Sequence, residues 1–476
     1  MSLNLNEKST VYLFSACNAK TLAIADSTPA ENSAVIFACS SDSLTAAEKA
    51  HLKPLNAKCV DMTISGIIWE LPKNIAGIEI FLFENENENL LLLDEACTAL
   101  AVYPLPNAKV YFEVNDTPIG AFDKLTGQNG TEDQPLFVPV RTEMNFAYDN
   151  LLKHSVFANA ERGNPDKQDN LKHIKALIVG MNERNYEIFR TLLHLSQMPG
   201  YALKMMVIED CDNWERIVAK IPEIYEMQKN KEDPIDIHYY EDVDLDTEKF
   251  ENYIEDCLPD FNYAFVNADD DLTNLNLGLR LKTFLIRNGR AGKADIQVNV
   301  LNRGIYLYWD RDLMNGIETV GSTDIVYNYR AVTIPDIEML LAAIGETEGG
   351  ANIFGKDFSC LPEYNRISNL ARLLSLRYKI RLIEECYDSD YRLLTDSSLW
   401  KKYEHFRWEA FVRSLGYVRP DAALMGDISK IDAITRKTGK VHPSLTDFNK
   451  LSQEEQDKDG IELTEEVVKI FSHFRS

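Results

Sequence analysis

The sequence predicts an α/β fold: two tandem doubly wound domains followed by a mostly helical C-terminal domain. Three observations predict it. Short β-branched or aromatic runs alternate with helical patterns as far as residue 303, and the same order of elements occurs twice. Beyond about residue 364, apolar residues recur at helical spacing instead. The length of 476 residues agrees, since roughly 150 residues per domain gives about three domains.

The first set of strands reads 11–14 (VYLF), 35–39 (VIFAC), 58–62 (KCVDM), 78–83 (IEIFLF) and 109–114 (KVYFEV). The second reads 174–179 (IKALIV), 203–208 (LKMMVI), 237–240 (IHYY), 263–266 (YAFV) and 296–300 (IQVNV). Between the last two strands of each set lies one helical pattern, 88–102 and 272–287, and the two align with Asn89-Leu90 on Asn274-Leu275. Strands alternating with helices imply parallel sheets covered on both faces. The polar, Gly- and Pro-containing stretch 161–173 reads as a linker between domains 1–160 and 174–303. A connecting segment, 304–364, holds a helical pattern at 335–344 stopped by Gly345, then a loop at 346–357.

The final domain, 365–476, begins with helical spacing over 364–387. A second helix over 398–415 is followed by Gly416 as its C-cap. The polar stretch HPSLTDFNKLSQEEQDKD (442–459) and a terminal helix near 462–474 complete it.

Composition is globular, with 45% hydrophobic and 26% charged residues. No apolar run approaches the roughly 18 residues of a membrane helix, and residues 1–10 lack the basic and apolar regions of a signal peptide. The expectation is a cytoplasmic protein without a membrane span. The net charge is −25, and residues 209–271 alone carry 21 acids against 5 bases. Phosphate backbones need the opposite sign, so no nucleic acid is expected as a partner there. The acidic surface suits solubility or a basic protein partner. Eight scattered cysteines form no C-x-x-C pair, and the histidines form neither H-E-x-x-H nor H-x-x-x-H, so no metal site is expected.

No nucleophile elbow, P-loop or Cys/His pair at a recognised spacing is present, and no catalytic residue is assigned. The better nucleotide-site signal lies in the second domain. Strand 174–179 ends at Gly180, with Asn182 and Asn185 where the second and third glycines of a dinucleotide-binding loop would stand. Their side chains count against an NAD-type pyrophosphate in that loop. Glu209 and Asp210 end the next strand, where an acid meets a ribose hydroxyl. If this loop holds a phosphate, Gly180→Val is expected to remove ligand response and leave the apo protein folded. The corresponding loop of the first domain, 15–20, has no glycine and reads as a scaffold copy. Asp269, Asp270 and Asp271 read as a helix cap.

In the C-terminal domain, Trp400, Glu404, Arg407 and Trp408 fall largely on one side of a helix. They form either a surface ion pair on an amphipathic helix or one wall of a pocket, with Trp as platform and Arg407 as anion fork. Arg366 and Asn369 from the preceding helix, and His442 from the following loop, would complete that pocket.

The duplicated strand–helix order over 1–303, the acidic pair Glu209-Asp210 and the loop Asp269–Asp271 resemble the Rossmann-like nucleotide-binding domains of potassium-transport regulators, the TrkA-N or RCK type. Residues 366–371 (RISNLA), Glu404-His405-Phe406-Arg407-Trp408, Gly416-Tyr417, His442-Pro443-Ser444-Leu445, Asp457 and Asp459 resemble the ryanodine-receptor-type (RyR) repeat domain of bacterial proteins, over about 365–460. The resemblance implies a bacterial ligand-sensing regulator, usually a homodimer, that binds a nucleotide or nucleotide-like small molecule at the second Rossmann-like domain, the RyR-type domain or both. The competing readings are a nicotinamide-dependent oxidoreductase and a scaffold that binds protein partners.

Overall fold

A computed structural model describes residues 9–126, 134–163, 169–229, 235–306, 309–354, 361–420 and 438–473. Residues 164–168 of the linker, 355–357 of the loop and the last residues of the terminal helix lie outside these.

Two parallel sheets organise the α/β fold. The first contains β1 (Thr10–Phe14), β2 (Ser33–Phe37), β3 (Lys58–Cys59), β4 (Gly77–Leu82), β5 (Lys109–Glu113) and β6 (Leu136–Val140), in the order β3-β2-β1-β4-β5-β6. The second contains β7 (Glu161–Arg162), β8 (Lys172–Val179), β9 (Tyr201–Ile208), β10 (Ile235–Tyr240), β11 (Tyr263–Val266), β12 (Asp295–Asn299) and β13 (Ile317–Val320). Its order is β10-β9-β8-β11-β12-β13, with the short β7 antiparallel to the start of β8. Each six-strand path repeats the order 3-2-1-4-5-6, in which the direction of winding reverses between the first and fourth strands. β4 and β5 pair in parallel, with Glu79 opposite Lys109, which excludes a hairpin between 78–83 and 109–114.

The strands form because they are near-continuous apolar runs that can be buried on both faces. All six residues of β4 and all four of β11 are buried. Helix Glu86–Val102 covers β4 and β5, and helix Asp271–Arg287 covers β11 and β12. Three strands escape the sequence pattern: β6, β13 and the short β7, which lies in the stretch read as a linker. β6 (LFVPV) carries Pro139 and β13 (IETV) has only four residues, and both lie at sheet edges. An edge strand tolerates a missing N–H and needs less apolar length.

The chain divides into two compact units. The first comprises Met1–Phe146, Gly321–Met339 and Asp357–Ile367, and the second the remainder. In the first unit the late segments cover acids of the sheet. The hydroxyl of Tyr327 donates to Glu113 at 3.0 Å and that of Tyr329 to Glu79 at 2.9 Å. Glu363 takes the Arg141 Nε at 2.6 Å, with both side chains buried. In the second unit, helix Ser398–Ser414 packs along helix Glu183–Leu195. Among the described residues no helix is long and apolar enough to cross a membrane.

Candidate functional site

The switch point of the second sheet lies between the ends of β8 and β11, and side-chain amides fill it. Asn182 caps the helix Glu183–Leu195 by accepting from the Asn185 backbone at 3.1 Å. Its amide nitrogen donates to the Asn267 carbonyl at 2.8 Å, and the Asn267 amide returns a bond to Asn182 Oδ1 at 2.9 Å. Asn299, at the end of β12, donates to Asn267 Oδ1 at 3.0 Å and accepts from Arg184 at 2.7 Å. Asn185 is fully buried, and its Nδ2 reaches the carbonyls of Val179 and Gly180 at 2.8 and 2.9 Å. Asn185 therefore braces the loop from within and is not exposed to a ligand. Asn182 is exposed, yet its amide is engaged across the crevice. The amides of Asn182, Asn185 and Asn267 are thus engaged with one another and with the loop carbonyls.

The acidic loop is structural as well. Asp270 accepts from Leu272 and Thr273 backbone N–H groups at 2.8 and 2.9 Å, and Asp271 holds the N–H groups of Leu301 and Asn302 at 2.7 and 2.9 Å. Asn274 accepts from Ala268 at 2.8 Å and donates to the Asn299 carbonyl at 3.2 Å. The first sheet repeats this plan. Asn89 accepts from Glu84 at 2.7 Å and donates to the Glu113 carbonyl at 3.0 Å. Asn18 caps its helix and donates to the Phe83 carbonyl at 3.0 Å, as Asn182 does to Asn267. An ion pair, Lys20–Glu113 at 2.5 Å, stands where Arg184 meets Asn299.

Glu209 is different. It directly follows β9 with its side chain buried, and Asn213 donates to Oε2 at 2.8 Å. Oε1 is buried without a hydrogen-bond partner. Burial pushes the carboxyl up to about 7, helped by the neighbouring charges of Asp210 and Glu241. Asp210 is exposed. Asn213 also lines a small groove with Met181, Asn182, Glu183, Arg216 and Lys220, at the start of helix Glu183–Leu195. The Lys220 ammonium lies 4.8 Å from the Tyr186 ring centre on the same wall. Gly180 and Glu209 thus share one end of the sheet, while the groove beside them involves Asn213, Arg216 and Lys220, which the sequence did not single out. Their only signal is spacing, four to eleven residues after a strand-end acid.

In the C-terminal helices, Glu404 and Arg407 meet as an i, i+3 pair, but deep inside. The Arg407 Nε and Nη2 donate to Glu404 Oε1 at 3.0 and 2.9 Å, and both side chains are almost fully buried. The buried Lys379 ammonium donates to the other oxygen, and Arg372 lies 3.5 Å away. Burial alone would raise the Glu404 carboxyl; Arg407, Lys379 and Arg372 together hold it down at about 2. Three cations share one carboxylate, so they repel one another, and burial with this repulsion lowers Lys379 and Arg372. The Arg407 Nη1 is buried without a partner. This is an internal charge cluster, and the surface-pair reading of Glu404 and Arg407 does not hold, because the helix face carrying them packs inward.

The remaining expected pocket residues disperse. Trp400 is 2% exposed and packs edge-on against Tyr387, so it is a core ring. Trp400→Ala is expected to cost about 3–5 kcal/mol in chemical denaturation. Half-buried Trp408 lies 4.8 Å from the His442 ring and stacks at 5.6 Å on His405, so that pairing is made. Arg366 belongs to the first unit and pairs with Glu338 at 3.0 Å, whereas Asn369 donates to the Phe354 carbonyl at 3.1 Å. His405 bridges Asp459 at 3.2 Å and the Thr446 carbonyl at 3.1 Å, which ties both motif loops to the helix. Comparison with protein-family models and with curated proteins gives no match for this chain.

Proposed function

We propose that the chain is a ligand-responsive regulator, and that its second sheet binds a mononucleotide-like ligand on the surface at the sheet end that carries Glu209 and Asn213. The observation that carries this reading is the Glu209 carboxyl, buried at a strand end with one oxygen held and the other unpartnered. A ribose-type hydroxyl supplies the donor that Oε1 lacks. The adjacent helix start, Arg216 and Lys220 suit a phosphate. The amide-filled switch point favours a single nucleotide, since a dinucleotide would have to displace Asn182, Asn267 and Asn299. Regulation follows from continuity: the helix that begins at the groove ends with His194 against Phe411 of helix Ser398–Ser414, at 5.7 Å between rings. A ligand that favours one placement of the first helix therefore biases the second, to the extent of its differential affinity.

A thermal-shift panel of mononucleotides and NAD at pH 6, 7 and 8 tests this. A ligand at 100 times its Kd is expected to add about 2.7 kcal/mol. Glu209→Gln should weaken it roughly 10- to 100-fold, the worth of a hydrogen bond to a charged group. The ionised carboxylate is the better acceptor, so wild-type affinity should rise more steeply than the variant's as pH passes about 7. Stabilisation that is indifferent to Glu209→Gln, or no stabilisation by any nucleotide, rules the reading out.

A further inference from the structure

The second unit holds another cavity at the opposite end of its sheet, away from Gly180 and Glu209. It has a volume of about 130 Å³ and lies where β8 and β9 begin, at Lys172 and Tyr201. The segment after residue 154 and the helix Glu363–Cys386 close its other sides. Three aromatic rings line it. Phe157 stands between the other two, 5.0 Å and nearly perpendicular to Tyr201, and 4.9 Å from Tyr378. Tyr378 and Tyr201 are buried, and the Tyr378 hydroxyl is fixed by the Leu151 carbonyl, so two of the walls are rigid.

Two cations stand at this aromatic slot. The Lys172 ammonium has the Tyr201 hydroxyl at 3.4 Å, and among the described residues no carboxylate pairs with it. Arg381 donates from Nε to Glu385 at 2.6 Å, an exposed pair at the opening. The cavity is somewhat smaller than the roughly 150 Å³ that holds a benzene ring, so it admits at most one six-membered ring, with any substituent at the opening. Aromatic walls at these angles favour an aromatic guest over an aliphatic one, through edge-to-face contact. An unpaired ammonium beside the rings selects a negative substituent.

We propose that this cavity is a second ligand site, for a single six-membered aromatic or heteroaromatic ring that carries one carboxylate. It is independent of the nucleotide site, because no residue is shared and the two lie at opposite ends of the strands. A guest here would touch the start of the sheet and the helix Glu363–Cys386 together, so it would be an effector site rather than a reaction centre.

The test is ligand-observed NMR and calorimetry on the full chain with benzoate, nicotinate and salicylate, with benzamide and cyclohexanecarboxylate as controls. Saturable binding of at least one aromatic acid is expected, at least tenfold tighter than either control. Lys172→Gln should weaken it tenfold or more. Ala158→Trp, which fills the cavity from an exposed position, should abolish it with unchanged melting, and Glu209→Gln should leave it intact. Absence of saturable binding by all three acids overturns the proposal, as does binding that survives Ala158→Trp in a folded variant or is equal for benzamide.

Discussion

Gly180→Val is expected to destabilise the second sheet by about 2–6 kcal/mol, whether or not a ligand is bound. Gly180 has φ +84°, and a Cβ built on it would stand 2.5 Å from the Asn267 carbonyl oxygen and 2.7 Å from the Ala268 Cα. Both obstacles are backbone, so neither can swing aside. A strained backbone conformation costs about 1–3 kcal/mol and forced overpacking about 1–3 more. The effect falls on the two loops that the amide network joins, and relief would require separating β8 from β11 at their ends. From sequence alone the same substitution reads as a silent probe of a phosphate loop. The close approach of Asn267 makes it a stability mutation instead. Urea denaturation of the apo protein checks it, and a variant as stable as wild type would show that the loops separate freely.

Glu404→Gln should be comparably damaging, by about 3–5 kcal/mol, because it leaves buried cations without their counter-charge. Arg407 and Lys379 both depend on this one carboxylate for a charged partner. The pH dependence has a definite sign. The folded carboxyl sits near 2, below its unfolded value of about 4.3, so its stabilisation is present above about 4.3 and is lost as pH falls toward 2. The Gln variant should lack that acid limb. Adding Lys379→Met to Glu404→Gln should recover part of the loss, since it removes an uncompensated ammonium. Denaturation curves for the two variants between pH 2 and 7 distinguish this from simple loss of packing.

The strands were legible because each is a buried apolar run between polar residues, and the offset of Asn89 to Asn274 marked the repeat. It marked more than alignment: both residues bind the loop after the fourth strand to the end of the fifth. The edge strands β6 and β13 were not legible, since Pro139 and a four-residue run leave no alternation to read. At the site, Glu209 was legible as a strand-end acid. Its unpartnered oxygen was not, because burial of one carboxylate atom depends on how Asn213 folds back. The Trp400 to Trp408 spacing gave a common helix side but not its depth, so an ion pair that reads as exposed proves to be buried. Lys379 and Arg372 stand on another helix, and no local pattern links them to Glu404.

The first unit is discontinuous along the chain, and this orders events during synthesis. Its sheet is complete at Val140, but the hydroxyls that cover Glu113 and Glu79, and the carboxylate that meets Arg141, belong to residues 327, 329 and 363. At roughly 5–20 residues per second, the ribosome delivers Glu363 on the order of 10–40 s after Arg141. During that interval Glu113 and Glu79 have their lysine partners, Lys20 and Lys109, but not their tyrosine hydroxyls, and Arg141 lacks its carboxylate. The second sheet emerges whole in the meantime. A fragment truncated after the second sheet would therefore leave both units unfinished, the first without Tyr327, Tyr329 and Glu363 and the second without the helix Ser398–Ser414 that packs along Glu183–Leu195.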